Sequence, residues 1–157
     1  MKNEKGFSLV ELLIVVAIIA IIAAIAIPSL LTSKQASNEA AAMQGCRTIG
    51  SAEVAYAAVN NQRYTDLTTL VSGNYLDSRF SGATGFNGYT YVFASTIAGT
   101  TLAGALPTAF GFTADPTTGG GRHTYGIAPD QVVRYQGTAG GGTAPAGLAV
   151  GDPIGKN

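Results

Sequence analysis

The strongest hydrophobic pattern lies in the first fifth of the chain. From Leu12 to Ile27 every residue is Leu, Ile, Val or Ala, and the apolar segment extends from Phe7 to Leu31. At about 1.5 Å per residue, a helix over this segment is roughly 37 Å long, enough to cross a hydrocarbon core of about 30 Å. The pattern predicts a membrane-spanning helix. Pro28 removes one of its backbone hydrogen bonds, so we expect the helix to be weakest there.

The helix is predicted to continue as an amphipathic segment to about Asn60. Glu39 and Glu53 are among the polar residues of this segment, and Cys46 lies near its apolar stripe, where a small buried residue is a better interpretation than a redox or metal-binding thiol. Gly45 and Gly50 each lower helix propensity by about 1 kcal/mol relative to Ala, so packing has to hold this part. The apolar stripe, which we expect to face a sheet, consists of Leu30, Leu31, Ala36, Ala40, Met43, Ile49, Val54, Tyr56 and Val59.

A small β-sheet is predicted after the helices. A short helix begins at Thr65 or Asp66, runs through Val71 and ends at Gly73, and 79–88 is predicted to be an exposed loop. Residues 97–106 fit either a loop or a weak edge strand. Turns at 115–121 and 128–130, together with the alternation around them, favour an antiparallel meander of about four strands. These strands are predicted at 89–94, 109–114, 123–127 and 131–135. The fold class is therefore α+β, with an irregular Gly-rich tail over 137–157.

One charged side chain lies inside the apolar segment. Glu11 follows Phe7 by four residues, and an unpaired carboxylate at mid-bilayer costs on the order of 2.5–3.5 kcal/mol. The preceding Met1–Gly6 is polar and ends in Gly. If a peptidase cut after Gly6, the Phe7 ammonium would lie on the same helix face as Glu11 and could pair with it, or with Glu11 of a neighbouring copy.

Gly6, the sequence Phe7-Ser8-Leu9-Val10-Glu11 and an apolar run with Pro28 near its end resemble the N-terminus of type IV pilins and of type II secretion pseudopilins. The resemblance covers about the first 30 residues. It implies cleavage between Gly6 and Phe7 by a prepilin peptidase, N-methylation of Phe7, an assembly role for Glu11, and a bend at Pro28 with unwinding before it in assembled filaments. It also implies a pilin-like fold with a leader (1–6), an apolar helix (7–31), an amphipathic helix (32–61) and a head (62–157).

Two simpler interpretations of the N-terminus remain open. Lys2 and Lys5 before an apolar run, with Ala24-Ile25-Ala26 as an A-x-A site, could form a cleaved secretory signal. Against this, the run is long for a signal and Glu11 places a charge at its start. A single-pass anchor with an incidental Glu11 is the other interpretation. Neither explains why Gly6 and Phe7 stand at this spacing from Glu11.

Composition narrows the function classes. The chain has nine basic and nine acidic residues and a net charge of zero, which gives no general signal for binding polyanions, so nucleic acid is not an expected partner. One cysteine allows no intrachain disulfide, whereas many pilins close their C-terminal region with two cysteines. Glycine, with 21 residues, is abundant, and charged residues make up only 11% of the chain.

No catalytic constellation is recognisable, and we do not expect an enzyme. The single histidine, His123, lies in a predicted strand, and Gly119-Gly120-Gly121-Arg122 lacks the Lys-Ser/Thr of a phosphate loop. No cofactor is expected. Calcium is a weak alternative, because some pseudopilins hold it in a C-terminal loop, and Asp115, Asp130 and Asp152 offer carboxylates. Their positions in turns explain them without a metal.

The sequence therefore suggests three functions within this resemblance. The first is a pilin that is inserted in the inner membrane, processed by a peptidase and methyltransferase, and assembled by pilus machinery into a helical homo-oligomeric surface filament for adhesion or motility. The second is a pseudopilin that forms a periplasmic piston of a type II secretion system. The third is a minor pilin whose head acts as an adhesin or DNA-uptake module.

Overall fold

The computed structural model of the chain describes residues 6–81, 85–93, 96–97, 100–101 and 110–137. A single helix, α1, runs from Leu9 to Val59 through Pro28. The chain divides into two compact units, residues 1–34 and 35–157, and α1 contributes to both. The helix confirms the predicted continuity of the apolar and amphipathic segments. The leader residues 1–5 lie outside the described residues.

The segment after α1 follows the predicted helix signals. Asn61 and Gln62 have φ angles of 55° and 59°, in the left-handed region that ends a helix. The second helix, α2, spans Leu67–Ser72, and the Asp66 carboxylate accepts a hydrogen bond from the Thr69 N–H at 2.7 Å. The Gly73 N–H donates to the Thr69 carbonyl. The predicted cap and stop residues are therefore confirmed.

Within the described ranges, the strands of the head are β1 (Tyr89–Phe93), β2 (Thr96–Ile97), β3 (Thr100–Thr101), β4 (Phe112–Pro116), β5 (His123–Ile127) and β6 (Arg134–Gly137). Four of them form an antiparallel sheet with the order β1-β4-β5-β6. A separate antiparallel pair, β2 with β3, lies in the region for which the sequence left loop and edge strand open. These elements confirm the α+β, pilin-like architecture.

The buried face of α1 differs from the predicted stripe. Val54 and Val59 are exposed, whereas Glu39 and Glu53, which were predicted to be on the polar side, are buried. Most residues of this face are Gly, Ala or Cys, which let the helix approach the sheet closely, and Ile49 is a large apolar residue buried among them. The buried residues of α1 are Glu39, Ala42, Gly45, Cys46, Ile49, Gly50, Ala52, Glu53 and Ala57.

Gly45 and Gly50 mark the places of closest approach. A Cβ at Gly45 would collide with the hydroxyl of Tyr91, and its distance to the Tyr91 Cζ would be only 2.7 Å. A Cβ at Gly50 would lie 2.6 Å from Ile127 Cδ1. The expectation that packing compensates for these two helix-weakening residues therefore has a specific cause, because both glycines make room for side chains of the head.

The predicted loop over 79–88 is partly wrong. A 3₁₀ helix occupies Ser78–Ser81, and it starts where the Asp77 carboxylate accepts a hydrogen bond from the Arg79 N–H at 2.9 Å. Phe80 is buried, and its ring meets those of Phe86 and Tyr91 edge-on at 5.0 Å. The prediction of an exposed loop relied on the glycines of this segment and did not consider its aromatic residues, which extend the core of the head.

The bounds of two strands also differ from the prediction, because β4 was predicted at 109–114 and β6 at 131–135. Asp115 and Pro116 were assigned to a turn but complete β4, because this end of β4 pairs with β1 and extends past the part that pairs with β5. Proline is tolerated where a strand has no partner on one side. β6 begins at Arg134 instead of Gln131, because Gln131 has a left-handed φ of 59° and its N–H donates to the Ala128 carbonyl. Beyond Gly137, the predicted tail lies outside the described residues.

Candidate functional site

The predicted cleavage site lies before the first turn of α1. Gly6, Phe7 and Ser8 have no regular secondary structure, and Phe7 is 83% exposed. Apart from its two chain neighbours, no described residue has an atom within 4 Å of the position where a Cβ would stand on Gly6. The Gly6–Phe7 peptide bond is therefore sterically open, as a peptidase requires of its substrate.

Glu11 turns back toward this site. Its Oε2 accepts a hydrogen bond from the backbone N–H of Ser8 at 3.0 Å. Ser8-Leu9-Val10-Glu11 has the S-x-x-E spacing of a capping box, in which the acid of the first turn satisfies a free N–H at the start of the helix. The sequence analysis missed this role, although the spacing alone could have identified it. In the single chain, Glu11 is thus held one residue away from the nitrogen of Phe7.

The apolar segment from Phe7 to Leu31 is exposed in the described part of the chain. Every large hydrophobic residue from Phe7 to Leu31 is about half exposed or more, from Val15 at 48% to Phe7 at 83%. By length and composition α1 is able to cross a membrane, and the most apolar 18 residues have a mean hydropathy of 3.2. Surface of this kind requires lipid or other protein around it, because its exposure to water is strongly unfavourable.

Pro28 does not interrupt α1. Because proline has no N–H, the Ala24 carbonyl lacks the helical donor it would otherwise have. In the next turn, the Thr32 hydroxyl donates to the Pro28 carbonyl at 2.8 Å, and the Ser33 hydroxyl donates to the Ser29 carbonyl at 2.9 Å. Such bonds back to the preceding turn often accompany a bent helix. Filament-dependent unwinding before Pro28 remains a prediction.

The calcium candidates are not gathered into a site by the described residues. Asp115 accepts a hydrogen bond from the Thr113 hydroxyl at 3.2 Å, whereas Asp130 forms an ion pair with Arg134 at 2.6 Å. The bond from Arg134 outweighs the effect of partial burial and lowers the pKa of Asp130. Asp152 lies outside the described residues. In the described part of the chain, no three His, Cys, Asp or Glu residues are grouped as metal ligands.

Cys46 and His123 are both built into the packing of the head. Cys46 is fully buried, and burial raises the pKa of its thiol to about 12. A thiol with so little thiolate is a poor nucleophile, which agrees with its interpretation as a small core residue. His123 Nδ1 lies 3.3 Å from Glu39 Oε1, so the histidine contributes to the contact between β5 and α1.

Comparison with known proteins supports the interpretation of the N-terminus. Residues 1–27 match the family model of the prokaryotic N-terminal methylation motif. Over 72 residues the chain is 35% identical to the type IV wide pilus major component PilA4 of Thermus thermophilus. The aligned region covers 46% of this chain and 55% of the relative, so the match spans about half of each protein. The chain is therefore similar to a type IV pilus component over the aligned part, and its N-terminus carries the methylation motif.

Proposed function

We propose that this chain is a structural pilin that polymerises into a type IV pilus filament after cleavage between Gly6 and Phe7. The observation that carries the proposal is the exposed apolar surface from Phe7 to Leu31, which starts at the predicted cleavage site. The similarity to a protein named as a major pilus component supports the same function.

The proposed assembly satisfies the apolar surface in both states of the protein. Before assembly, lipid of the inner membrane surrounds the helix. In the filament, the helices of neighbouring copies surround it, so little apolar surface meets water at either stage. This transfer would be the task of the pilus assembly machinery, after a prepilin peptidase and methyltransferase have processed Phe7.

Glu11 has a different partner at each stage of this scheme. In the precursor, the Ser8 N–H compensates its carboxylate at the start of α1. Cleavage creates an ammonium group on Phe7, and in the filament this group of one copy would pair with Glu11 of the next. A carboxylate that lost both partners in the filament core would be buried and unpaired, which costs several kcal/mol.

Two substitutions at Glu11 separate capping from ion pairing. Glu11→Gln keeps an acceptor for the Ser8 N–H, since glutamine also serves in a capping box, but it removes the charge. Glu11→Ala removes both. We expect both variants to insert in the membrane and to be cleaved after Gly6, while sheared filaments fall to background in both. Electron microscopy of the sheared fraction and mass spectrometry of the N-terminal peptide measure the two steps.

The Gln variant decides the role of the charge. Normal filament yield from Glu11→Gln would contradict the ion pair and leave only the capping role. The proposal of a pilin itself fails if wild-type filaments contain no copy of this chain beginning at Phe7. The Gly6→Phe variant is a control for processing. The bulky side chain at the cleavage position should block the peptidase and leave uncleaved precursor in the membrane.

A pseudopilin shares the same leader and helix, so location separates it from a pilin. A pilin is recovered from the cell surface by shearing, whereas a periplasmic piston is not. A minor pilin would be recovered at a small fraction of the abundance of the main subunit. The name of the similar protein, which includes the words major component, favours the first of these three functions.

A further inference from the structure

Glu53 is an acid for which the proposed assembly has no use. It lies in the part of α1 that belongs to the unit 35–157, and its side chain is completely buried. A buried carboxylate without a cation is costly, so its retention in the core needs a specific reason.

The described contact of Glu53 joins α1 to the turn that follows it. Its Oε2 accepts a hydrogen bond from the backbone N–H of Thr65 at 3.1 Å. Among the described residues, none donates to its other oxygen, Oε1. Thr65 ends the turn 60–66, in which Asn61 and Gln62 already have left-handed φ angles. The carboxyl group of Glu53 is therefore hydrogen-bonded near the end of a turn that contains two residues in the left-handed conformation.

The charges around Glu53 oppose its ionisation. The pKa of Glu53 is raised to about 7, mainly by burial and to a smaller extent by the negative charge of Asp66 at the start of α2. The Thr65 N–H acts in the other direction. Arg63, the cation of the turn, is exposed to solvent. The neutral acid is therefore the form that fits this position in the core.

We infer that Glu53 is a proton-sensitive latch, which holds the turn 60–66 against α1 when its carboxyl group is protonated and releases the turn when the group ionises. All of the residues involved lie in the unit 35–157, so this inference does not rest on the proposed polymerisation. The segment that it controls comprises the turn and the start of α2, where Asp66 forms the N-terminal cap.

The direction of the effect follows from linkage. In the opened turn Glu53 meets water and has its ordinary pKa of 4.5, whereas in the closed turn the value is about 7. Opening therefore becomes more favourable as pH rises between these two values, by up to about tenfold per pH unit, and levels off above the higher one. Over the range from pH 5.5 to 8 the expected rise in the opening equilibrium is on the order of tenfold or more.

Trypsin cleavage after Arg63 measures this opening directly, because Arg63 lies in the middle of the turn. Full-length protein in detergent micelles is digested with little trypsin at pH 5.5, 6.5, 7.5 and 8.5, and mass spectrometry follows the product that ends at Arg63. Under these conditions the cleavage rate reports the population of the opened turn. Glu53→Gln, digested in parallel, corrects for the pH dependence of trypsin, since the amide keeps the shape of the side chain but does not titrate.

The latch predicts a wild-type to Glu53→Gln rate ratio that rises on the order of tenfold from pH 5.5 to 8.5. A second variant, Asp66→Asn, keeps an N-cap residue of equal quality but removes the opposing charge. Its cleavage rate should level off at a lower pH than that of wild type, which is measurable even if Glu53→Gln does not fold. A flat ratio overturns the proposal, and so does an unchanged pH profile of Asp66→Asn.

Discussion

The Glu39 carboxylate fastens the turn between β4 and β5 to α1. It accepts hydrogen bonds from the Arg122 N–H at 2.8 Å and from Arg122 Nε at 3.3 Å, and it lies beside His123. The neighbouring Asn38 donates to the Gly120 carbonyl at 2.8 Å. Burial alone raises the pKa of Glu39, but the bonds and charge of Arg122, aided by His123, outweigh burial and lower it. Glu39 and Glu53 thus lie on one helix with opposite pKa shifts.

Replacing Glu39 with Gln should lower stability at neutral pH. The loss of charge-assisted bonds to the turn is expected to cost about 1.5–3 kcal/mol. Because the folded-state pKa is depressed, this contribution is present above the ordinary value of 4.5 and is lost as pH falls below it through the folded-state value. The difference between wild type and variant in denaturant-induced unfolding should therefore shrink from pH 7 to pH 3.

Asp77→Asn provides the matched control for Glu39. Asp77 also accepts bonds from an arginine, Arg79, but both side chains are half exposed or more. Ion pairs that are exposed to water contribute little to the free energy of unfolding. A loss at pH 7 that is as large for Asp77→Asn as for Glu39→Gln would contradict the importance that we assign to burial.

At the scale of elements, α1 and the sheet meet through small residues. Gly45→Ala should destabilise the head although alanine is the better helix former. The new methyl group meets the Tyr91 ring, whose neighbours Phe80 and Phe86 restrict its movement. Overpacking costs on the order of 1–3 kcal/mol, which exceeds the helix propensity gain of about 1 kcal/mol.

A double substitution isolates this contact. Adding Tyr91→Phe to Gly45→Ala removes the hydroxyl that lies closest to the new methyl group. The Tyr91 hydroxyl is buried and has no partner among the described residues, so its removal has little cost of its own. The double variant should regain part of the lost free energy of unfolding. Additive effects of the two substitutions would show that the clash is not the cause.

The elements also show what the sequence could predict and what it could not. The start and end of α2 followed from Asp66 and Gly73, because caps act through local hydrogen bonds. The prediction of the buried face of α1 was wrong, because hydrophobicity alone does not distinguish a buried acid from a solvated one. Glu39 and Glu53 are buried because they accept hydrogen bonds from backbone N–H groups of turns outside the helix. These hydrogen bonds are tertiary contacts, so the spacing of residues along α1 does not predict them.

The predictions for the N-terminal site rest on residues that are close in sequence. Gly6, Phe7 and Glu11 carry the resemblance that implies processing and an assembly role for Glu11, and the match of residues 1–27 to the methylation motif supports that resemblance. Cleavage after Gly6 and the assembly role of Glu11 remain predictions. The Ser8–Glu11 contact was equally local and was overlooked only because Glu11 was considered as a partner of Phe7. The filament contacts of Glu11 and Pro28 involve other copies of the chain, and they remain predictions.

At the scale of the whole molecule, the division into two units predicts that assembly and head stability are separable. The unit 35–157 has its own core around Ile49, Leu70 and Phe110, and Cys46 lies inside that core. Glu11 lies in the other unit, in a region with exposed apolar side chains. Its substitution should therefore abolish filaments without unfolding the head.

The single cysteine makes this prediction measurable in one protein. Cys46 is buried and its thiol has a raised pKa, so at neutral pH it should react with iodoacetamide only after the head opens. Wild type and Glu11→Gln in detergent should label at the same slow rate, and both should label fast in denaturant. Gly45→Ala, whose damage lies one residue from Cys46, serves as the positive control and should label faster while Glu11 is intact. If Glu11→Gln labels faster than wild type, its loss of filaments reflects a misfolded subunit. If it labels at the wild-type rate, the subunit is folded and the missing charge is the cause of the lost filaments.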